Sequence, residues 1–127
     1  MRLSFYLILF SLFAFNLCYT SDNKTSEKKS AQLLCVTQAT QSLLNWNDYL
    51  RNDLAALHQD GWSIYSIGLD QKNAFAIHVG KRSLGSYFIR SGKIENGIQL
   101  LKDAASYFHR AGNFEVLTET LYEIGNG

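Results

Sequence analysis

The chain has 127 residues, a formal net charge of +1 at pH 7, two cysteines and no proline. This length allows one domain, and a charge so near zero argues against a general nucleic-acid-binding protein. The absence of proline and the scarcity of cysteine argue against turn-rich all-β and disulfide-stapled folds, so the composition predicts an all-α protein.

The N-terminal segment 1–20 has the pattern of a secretory signal peptide. Arg2 precedes an apolar run from Phe5 to Cys18, and a cleavage site follows at Cys18-Tyr19-Thr20. A retained membrane anchor over residues 5–19 is the alternative, although the run of about 15 residues is shorter than the roughly 20 that a spanning helix needs. We therefore expect a protein of the secretory pathway, secreted or extracytoplasmic, that contacts a membrane only if this segment is retained.

Residues 21–30 are polar and lack an apolar anchor, which predicts a mobile linker before a single folded domain at 31–127. The linker contains Asn23-Lys24-Thr25, a glycosylation sequon for a eukaryotic secretory pathway. Once the leader is removed, Cys35 has no intramolecular partner, and its apolar neighbours predict a buried thiol, with an intermolecular disulfide as the alternative. A folded part this small leaves self-association open.

The apolar periodicity predicts a long amphipathic helix at residues 31–58. Leucines and Trp46 recur at helical spacing from Leu43 to Leu57, and Asp60-Gly61 is read as the stop. Residues 62–80 fit two interpretations. They can form a short β-hairpin that turns at 70–73, or Asn73 can cap a helix that continues through Ile77; the helix is preferred.

Three further helices are predicted near 73–91, 93–111 and 113–124. Gly92 and Gly112 follow the last apolar residue of a helix, where a left-handed cap is expected, so both are assigned as structural turns. Connections this short place consecutive helices antiparallel. The sequence thus predicts a long helix followed by a stack of helical hairpins over 73–127.

Two stretches of the sequence are similar, SYFIRSGKIE at 86–95 and SYFHRAGNFE at 106–115. Each is the end of one helix, its glycine cap and the start of the next. Aromatic packing and charges that complement the helix dipole account for the similarity. Because the offset from Ser86 to Ser106 is shorter than an ordinary helix-pair repeat, we interpret the stretches as successive hinges rather than as repeat units.

Across both stretches, residues 78–112 resemble a tetratricopeptide (TPR) repeat. That family has Leu-Gly in its first helix, an aromatic residue three positions later, glycine at the turn, and large, small, large and alanine positions in the second helix. The matching residues here are Leu84, Gly85, Phe88, Gly92, Ile94, Gly97, Leu101 and Ala104. Gly97 stands where alanine is usual, Lys81 where tryptophan often occurs, and the closing proline is missing. The resemblance implies a helical groove that binds a protein or peptide partner.

The layout of an apolar N-terminal segment before one TPR hairpin is also similar to the import receptor of the mitochondrial outer membrane. Gly97 agrees with that family, but the strongly basic stretch after the apolar segment is missing. A membrane-anchored receptor or assembly factor is therefore the alternative function.

The sequence contains no pattern of catalytic chemistry. His58, His78 and His109 lack partners at metal-ligand spacing, and no phosphate-binding loop, dinucleotide fingerprint or nucleophile elbow is present. No metal or cofactor is predicted, and the protein is not expected to be an enzyme. A small secreted enzyme or ligand carrier is kept as a further alternative.

Two charged stripes are the candidate partner-binding residues. Arg82, Ser86 and Arg90 share one face of a helix, and Glu115, Glu119 and Glu123 share one face of the last helix. The arginines can hold an acidic or C-terminal carboxylate group of a partner; alternatively, the stripes are solvated faces or pair with each other. The tyrosines of the two stretches, Tyr87 and Tyr107, either anchor a ligand near the groove or pack in the core.

Overall fold

The computed structural model describes residues 21–126, which form five helices and contain no strand. The helices are α1 (Ser21–Asn52), α2 (Leu54–Asp70), α3 (Ala74–Arg90), α4 (Ile94–Ala111) and α5 (Phe114–Asn126). The predicted all-α class is confirmed. The chain divides into two units, residues 1–33 and 34–127, and the contacts below belong to the second. The predicted signal peptide or anchor at 1–20 lies outside the described residues.

The predicted helix at 31–58 is wrong at both of its ends. The helix begins at Ser21, so residues 21–30, expected to be a linker, are helical, and Asn23 of the sequon lies in the first turn. It ends at Asn52 because Asp53 leaves the helical conformation and accepts a hydrogen bond from the backbone N–H of Ala56, at 3.0 Å, as the N-cap of α2.

Residues 62–80 contain no β-hairpin. Gly61 lies inside α2, which continues to Asp70 before a short turn and α3. Asn73 caps α3 as predicted, its side chain accepting a hydrogen bond from Ala76 N–H at 3.0 Å. The three C-terminal helices therefore lie close to their predicted positions, and the correction concerns only what precedes them.

The two similar stretches do lie at successive turns between helices, but their offset recurs along the fold, which corrects the interpretation that they are not parts of repeat units. The last four helices begin at residues 54, 74, 94 and 114, so the interval between helix starts is constant. The residue with positive φ in each turn keeps the same interval: Lys72 (51°), Gly92 (92°) and Gly112 (75°). Each unit is one helix closed by the same left-handed turn, which satisfies carbonyls at the helix end. Gly92 and Gly112 thus form the turns predicted for them.

A pair of successive helices with its turns extends here from the start of α2 at residue 54 to the start of α4 at residue 94. This pair is longer than a TPR repeat, which occupies about 34 residues. The hairpin arrangement is the one expected, whereas the TPR resemblance itself stays a prediction.

Neighbouring helices approach closely at glycines on α3 and its two neighbours. A methyl group at Gly80 would lie 2.7 Å from Cα of Tyr65 in α2, and one at Gly97 would lie 2.6 Å from the carbonyl oxygen of Gly85. Side chains fill the space between these contacts, and Phe108 and Leu101 are fully buried. Burial of each such side chain contributes about 1.5–3 kcal/mol.

The C-terminal half of α1 packs on this stack through one stripe of its surface. Cys35, Ala39, Ser42 and Trp46 recur at helical spacing and are all buried. Ser42 also donates a hydrogen bond to the carboxylate of Asp60 in α2. Cys35 is 1% exposed and burial raises the pKa of its thiol, so the predicted buried thiol is confirmed.

Candidate functional site: a groove between α1 and α5

A groove of about 630 Å³ lies between the end of α1 and α5, with Arg90 from the end of α3. Its lining residues are Trp46, Asn47, Leu50, Arg51, Arg90, Thr118, Glu119, Tyr122, Glu123 and Asn126. Three predicted site residues, Arg90, Glu119 and Glu123, are among them. The groove therefore combines apolar and aromatic side chains with charges of both signs, which is the usual composition of a recognition site.

Arg82 is buried beside the groove rather than exposed within it. Only 1% of its surface is accessible; its guanidinium carbon stacks 3.8 Å from the ring centre of Trp46, and Nη2 lies 3.3 Å from Oε2 of Glu119. Nε and Nη2 make no hydrogen bond with residues 21–126. Desolvation, only partly offset by Glu119 and Glu123, lowers the pKa of Arg82 to about 10.

Arg90 and Glu123 form the second ion pair between α3 and α5. Nη1 of Arg90 lies 2.7 Å from Oε1 of Glu123, and Nη2 donates a hydrogen bond to Oε2 at 3.3 Å. Here the arginine side chain is 33% exposed and the carboxylate is 2% exposed, so it is the glutamate that lies in the interior. The pair thus combines one hydrogen bond, at Oε2, with a close ion-pair contact at Oε1.

The two stripes therefore pair with each other across the helices, one of the alternatives that the sequence left open. Ser86, which is fully buried, contacts α1 instead: its Oγ accepts a hydrogen bond from Nε1 of Trp46 at 3.3 Å. Glu115 is exposed and does not line the groove. Of the six candidate residues, Arg90, Glu119 and Glu123 present atoms to the groove, while Arg82 and Ser86 support it through Trp46.

The α1 side of the groove was not among the sequence-predicted sites. Leu50 belongs to a stripe that the periodicity assigned to the interior, and Arg51 lies in the last turn of the helix. Tyr122, on α5, is 72% exposed and faces the same groove. The sequence shows a tyrosine on the same helix as the glutamate stripe, but only the fold shows that it is exposed and that α1 lies on the other side of the groove.

Tyr87 and Tyr107 do not line this groove. Each stacks on a histidine of the preceding helix: Tyr87 on His58 with ring centres 4.0 Å apart, and Tyr107 on His78 at 4.5 Å. The offset from His58 to His78 equals the offset from Tyr87 to Tyr107, and both equal the interval between successive helix starts. The same stacking contact therefore occurs between α2 and α3 and again between α3 and α4. The tyrosines thus take the packing role of the two that were considered.

Within residues 21–126, no group of three or more histidine, cysteine, aspartate or glutamate side chains is arranged to hold a metal ion. In the same range, no helix combines the length and the apolar character needed to cross a membrane. The groove between α1 and α5, with its charged and aromatic lining, is the candidate binding site within residues 21–126.

Comparison with known protein families, with curated proteins and with solved structures found no match to this chain.

Proposed function

We propose that the protein is a non-catalytic interaction module that binds a protein or peptide segment in the groove between α1 and α5. The observation that carries the proposal is the lining of this groove. Leu50 and Tyr122 offer apolar contact area on opposite helices, and Arg51, Arg90 and Glu119 place charges around it. A groove between helices that combines these features suits the side chains of a peptide segment.

The fold supports this proposal by holding the two helices at fixed positions. Trp46 of α1 stacks on Arg82 of α3, which pairs with Glu119 of α5, so a continuous set of side-chain contacts runs from one side of the groove to the other. A site built on packed helices loses little conformational entropy on binding. The TPR resemblance points to the same class of function, peptide recognition in a helical groove.

Export through a signal peptide at residues 1–20 is part of the proposal and rests on the sequence pattern alone. In the alternative, residues 5–19 are retained and the same module acts as a membrane-anchored receptor or assembly factor. Mass spectrometry of the mature N-terminus separates the two, because an intact Met1 in a membrane fraction contradicts export as a cleaved protein.

The binding function is tested by selection from a displayed library of random peptides, followed by titration of the enriched peptides against the purified protein. We expect Leu50→Arg to weaken binding about tenfold or more, since an apolar contact at the centre of a small interface is replaced by a charge. Leu44→Arg is the matched control: Leu44 is also on α1, is 71% exposed and does not line the groove.

A second groove variant, Tyr122→Ser, protects the test against misfolding of the first, because Tyr122 is 72% exposed and contributes little to the interior. Far-UV circular dichroism and thermal melting establish that each variant is folded. Peptides that bind all three variants as tightly as the unaltered protein would overturn the assignment of the groove as the binding site.

A further inference from the structure

Three arginines, Arg51, Arg82 and Arg90, lie in or beside the groove, against two glutamates, Glu119 and Glu123. Its two glutamates already have partners, Glu119 with Arg82 and Glu123 with Arg90. Arg51 also lines the groove, and it forms no ion pair with any residue in the described range 21–126. One positive charge on the α1 side therefore remains available to a ligand.

Arg82 is only partly satisfied by its partner Glu119. Two of its nitrogen atoms lack hydrogen bonds with described residues, and the cost of burying its charge exceeds the stabilisation from Glu119 and Glu123. Its contacts, Trp46 and Glu119, are themselves lining residues of the groove. An anion bound in the groove is attracted mainly by Arg51, more strongly than in bulk water because the surroundings are partly apolar.

The apolar part of the lining lies next to Arg51. Leu50 is its neighbour in α1, and Tyr122 projects from α5 on the other side of the groove. A ligand that satisfies both features has an apolar side chain close to a carboxylate. This combination is common in acidic amphipathic peptide segments and absent from small inorganic anions.

We propose that the groove selects acidic peptide segments, in which a side-chain carboxylate pairs with Arg51 and an adjacent apolar side chain packs on Leu50 and Tyr122. The proposal rests on the proposed function, since it names the class of segment that the same groove takes. Electrostatic complementarity of this kind contributes mainly specificity and association rate, so the preference for acidic residues is expected to weaken as salt is added.

The test uses the peptides selected from the random library, synthesised with an amidated C-terminus so that only side-chain carboxylates are compared. We expect aspartate and glutamate to be enriched over the unselected library. Replacing the acidic residue of a peptide by its amide should weaken binding to the unaltered protein about three- to fivefold, the upper part of the range for an exposed ion pair. With Arg51→Gln, the same replacement should change binding less than about twofold.

Arg110→Gln is the matched control, because Arg110 is an exposed arginine in the last turn of α4 that does not line the groove. This variant should keep the full preference for the acidic peptide. Enrichment of lysine or arginine in the selected peptides would overturn the inference and assign the ligand contact to Glu119. The inference would also be overturned if replacing the acidic side chain of the peptide by its amide weakened binding equally for Arg51→Gln and for the unaltered protein.

Failure of the inference and failure of the proposed function have different signatures. If the selected peptides bind less tightly to Leu50→Arg but show no preference for acidic residues, the groove is the binding site and the inference that it selects acidic segments is wrong. Peptides whose binding is unchanged by Leu50→Arg and by Tyr122→Ser would overturn the assignment of the groove as the binding site.

Discussion

Helix α3 contacts its neighbours in two ways, through glycines on one side and through long arginine side chains on the other. Towards α2 and α4, the glycines at 80 and 85 let backbones approach to within the distance that a single methyl group would fill. Towards α1 and α5, Arg82 and Arg90 contact Trp46, Glu119 and Glu123 over longer side chains. The glycine side fixes the spacing of the stack, whereas the arginine side leaves enough room for a groove.

The glycine side of α3 is therefore expected to matter mainly for stability, and the arginine side mainly for the groove that is proposed to bind a ligand. Close backbone packing tolerates almost no change in volume, because the atoms that would have to move belong to the main chain. Long charged side chains adapt more easily, and their net contribution to stability is small because the cost of desolvation offsets much of the attraction. We therefore expect mutations on the two sides of α3 to differ in size.

The largest effect is expected from Gly80→Ala. Its Cβ would lie 2.7 Å from both the Cα and the backbone nitrogen of Tyr65, so α2 and α3 must move apart. We expect a loss of about 3 kcal/mol in the free energy of unfolding, despite the better helix propensity of alanine. Urea denaturation measures it.

Gly125→Ala is the control for that substitution, since a Cβ at Gly125 meets nothing within 4 Å. This variant should be neutral or more stable by up to about 1 kcal/mol. If Gly80→Ala and Gly125→Ala were equally stable, close approach at the glycine side would not be what fixes the stack.

A smaller effect is expected from Arg90→Ala on the arginine side. The substitution removes the partly exposed partner of Glu123 and leaves a carboxylate that is 2% exposed without its ion pair. We expect a loss of about 2 kcal/mol, which the double variant Arg90→Ala, Glu123→Leu should largely restore because the buried charge is gone. A double variant no more stable than the single one would show that the pair contributes through more than its charges.

Arg82→Met is expected to change the free energy of unfolding very little. Methionine loses the guanidinium that stacks on Trp46 and is shorter than arginine, but its flexible apolar side chain can pack in the same space, and it removes a buried charge whose hydrogen bonds are incomplete. We expect stability within about 1 kcal/mol of the unaltered protein. Glu119→Gln is the contrasting variant, because it keeps the buried guanidinium and removes its carboxylate; a greater loss for Arg82→Met than for Glu119→Gln would contradict this account.

The smallest effect concerns pH and a histidine on α3 that stacks on Tyr107 of α4. Burial lowers the pKa of His78; the hydrogen bond with the carbonyl of Ala74 and the charge of Asp103 oppose this, while Lys81 and Arg110 reinforce it. The folded pKa lies below the usual value of 6.5, so the unfolded chain binds more protons as the pH falls. His78 therefore does not reduce the free energy of unfolding above about pH 6.5, and it reduces it as the pH falls from there through the folded pKa.

Urea denaturation at a series of pH values from about 8 to 5 measures this decline. His78→Gln should flatten it, and His109→Gln, at an exposed position, should not. A decline unchanged by His78→Gln would assign the acid sensitivity to other groups.

The three C-terminal helices were predictable because local signals mark their ends. Asn73 caps α3, and Gly92 and Gly112 occupy left-handed turns. The turn before α3 was not predictable by the same rule, because Lys72 takes the left-handed conformation that glycine takes in the other two. Gly61 misled the prediction in the opposite way: it lies inside α2, where its missing side chain makes room for Leu84.

The candidate site was predictable only in part. The i, i+4 spacing placed Arg82 and Arg90 on one face but left open whether they bind a partner, face solvent or pair with the glutamates of the last helix, as they do in the structure. That Arg82 is buried depends on Trp46, far earlier in the sequence, and on the break at Asp53 that turns the chain back. Contacts of this range follow from the packing of whole helices and leave no local pattern.

The constant interval between helix starts also limits how such a chain can be lengthened. Successive helices run in opposite directions, and those in contact around the groove are alternate ones, α1, α3 and α5. Duplication of a single helix with its turn would therefore exchange the two sides of every helix that follows, placing former groove residues on the outer side. Duplication of a helix pair would extend the groove with its sides preserved, so pairs of units are the modules by which this architecture can grow or be engineered.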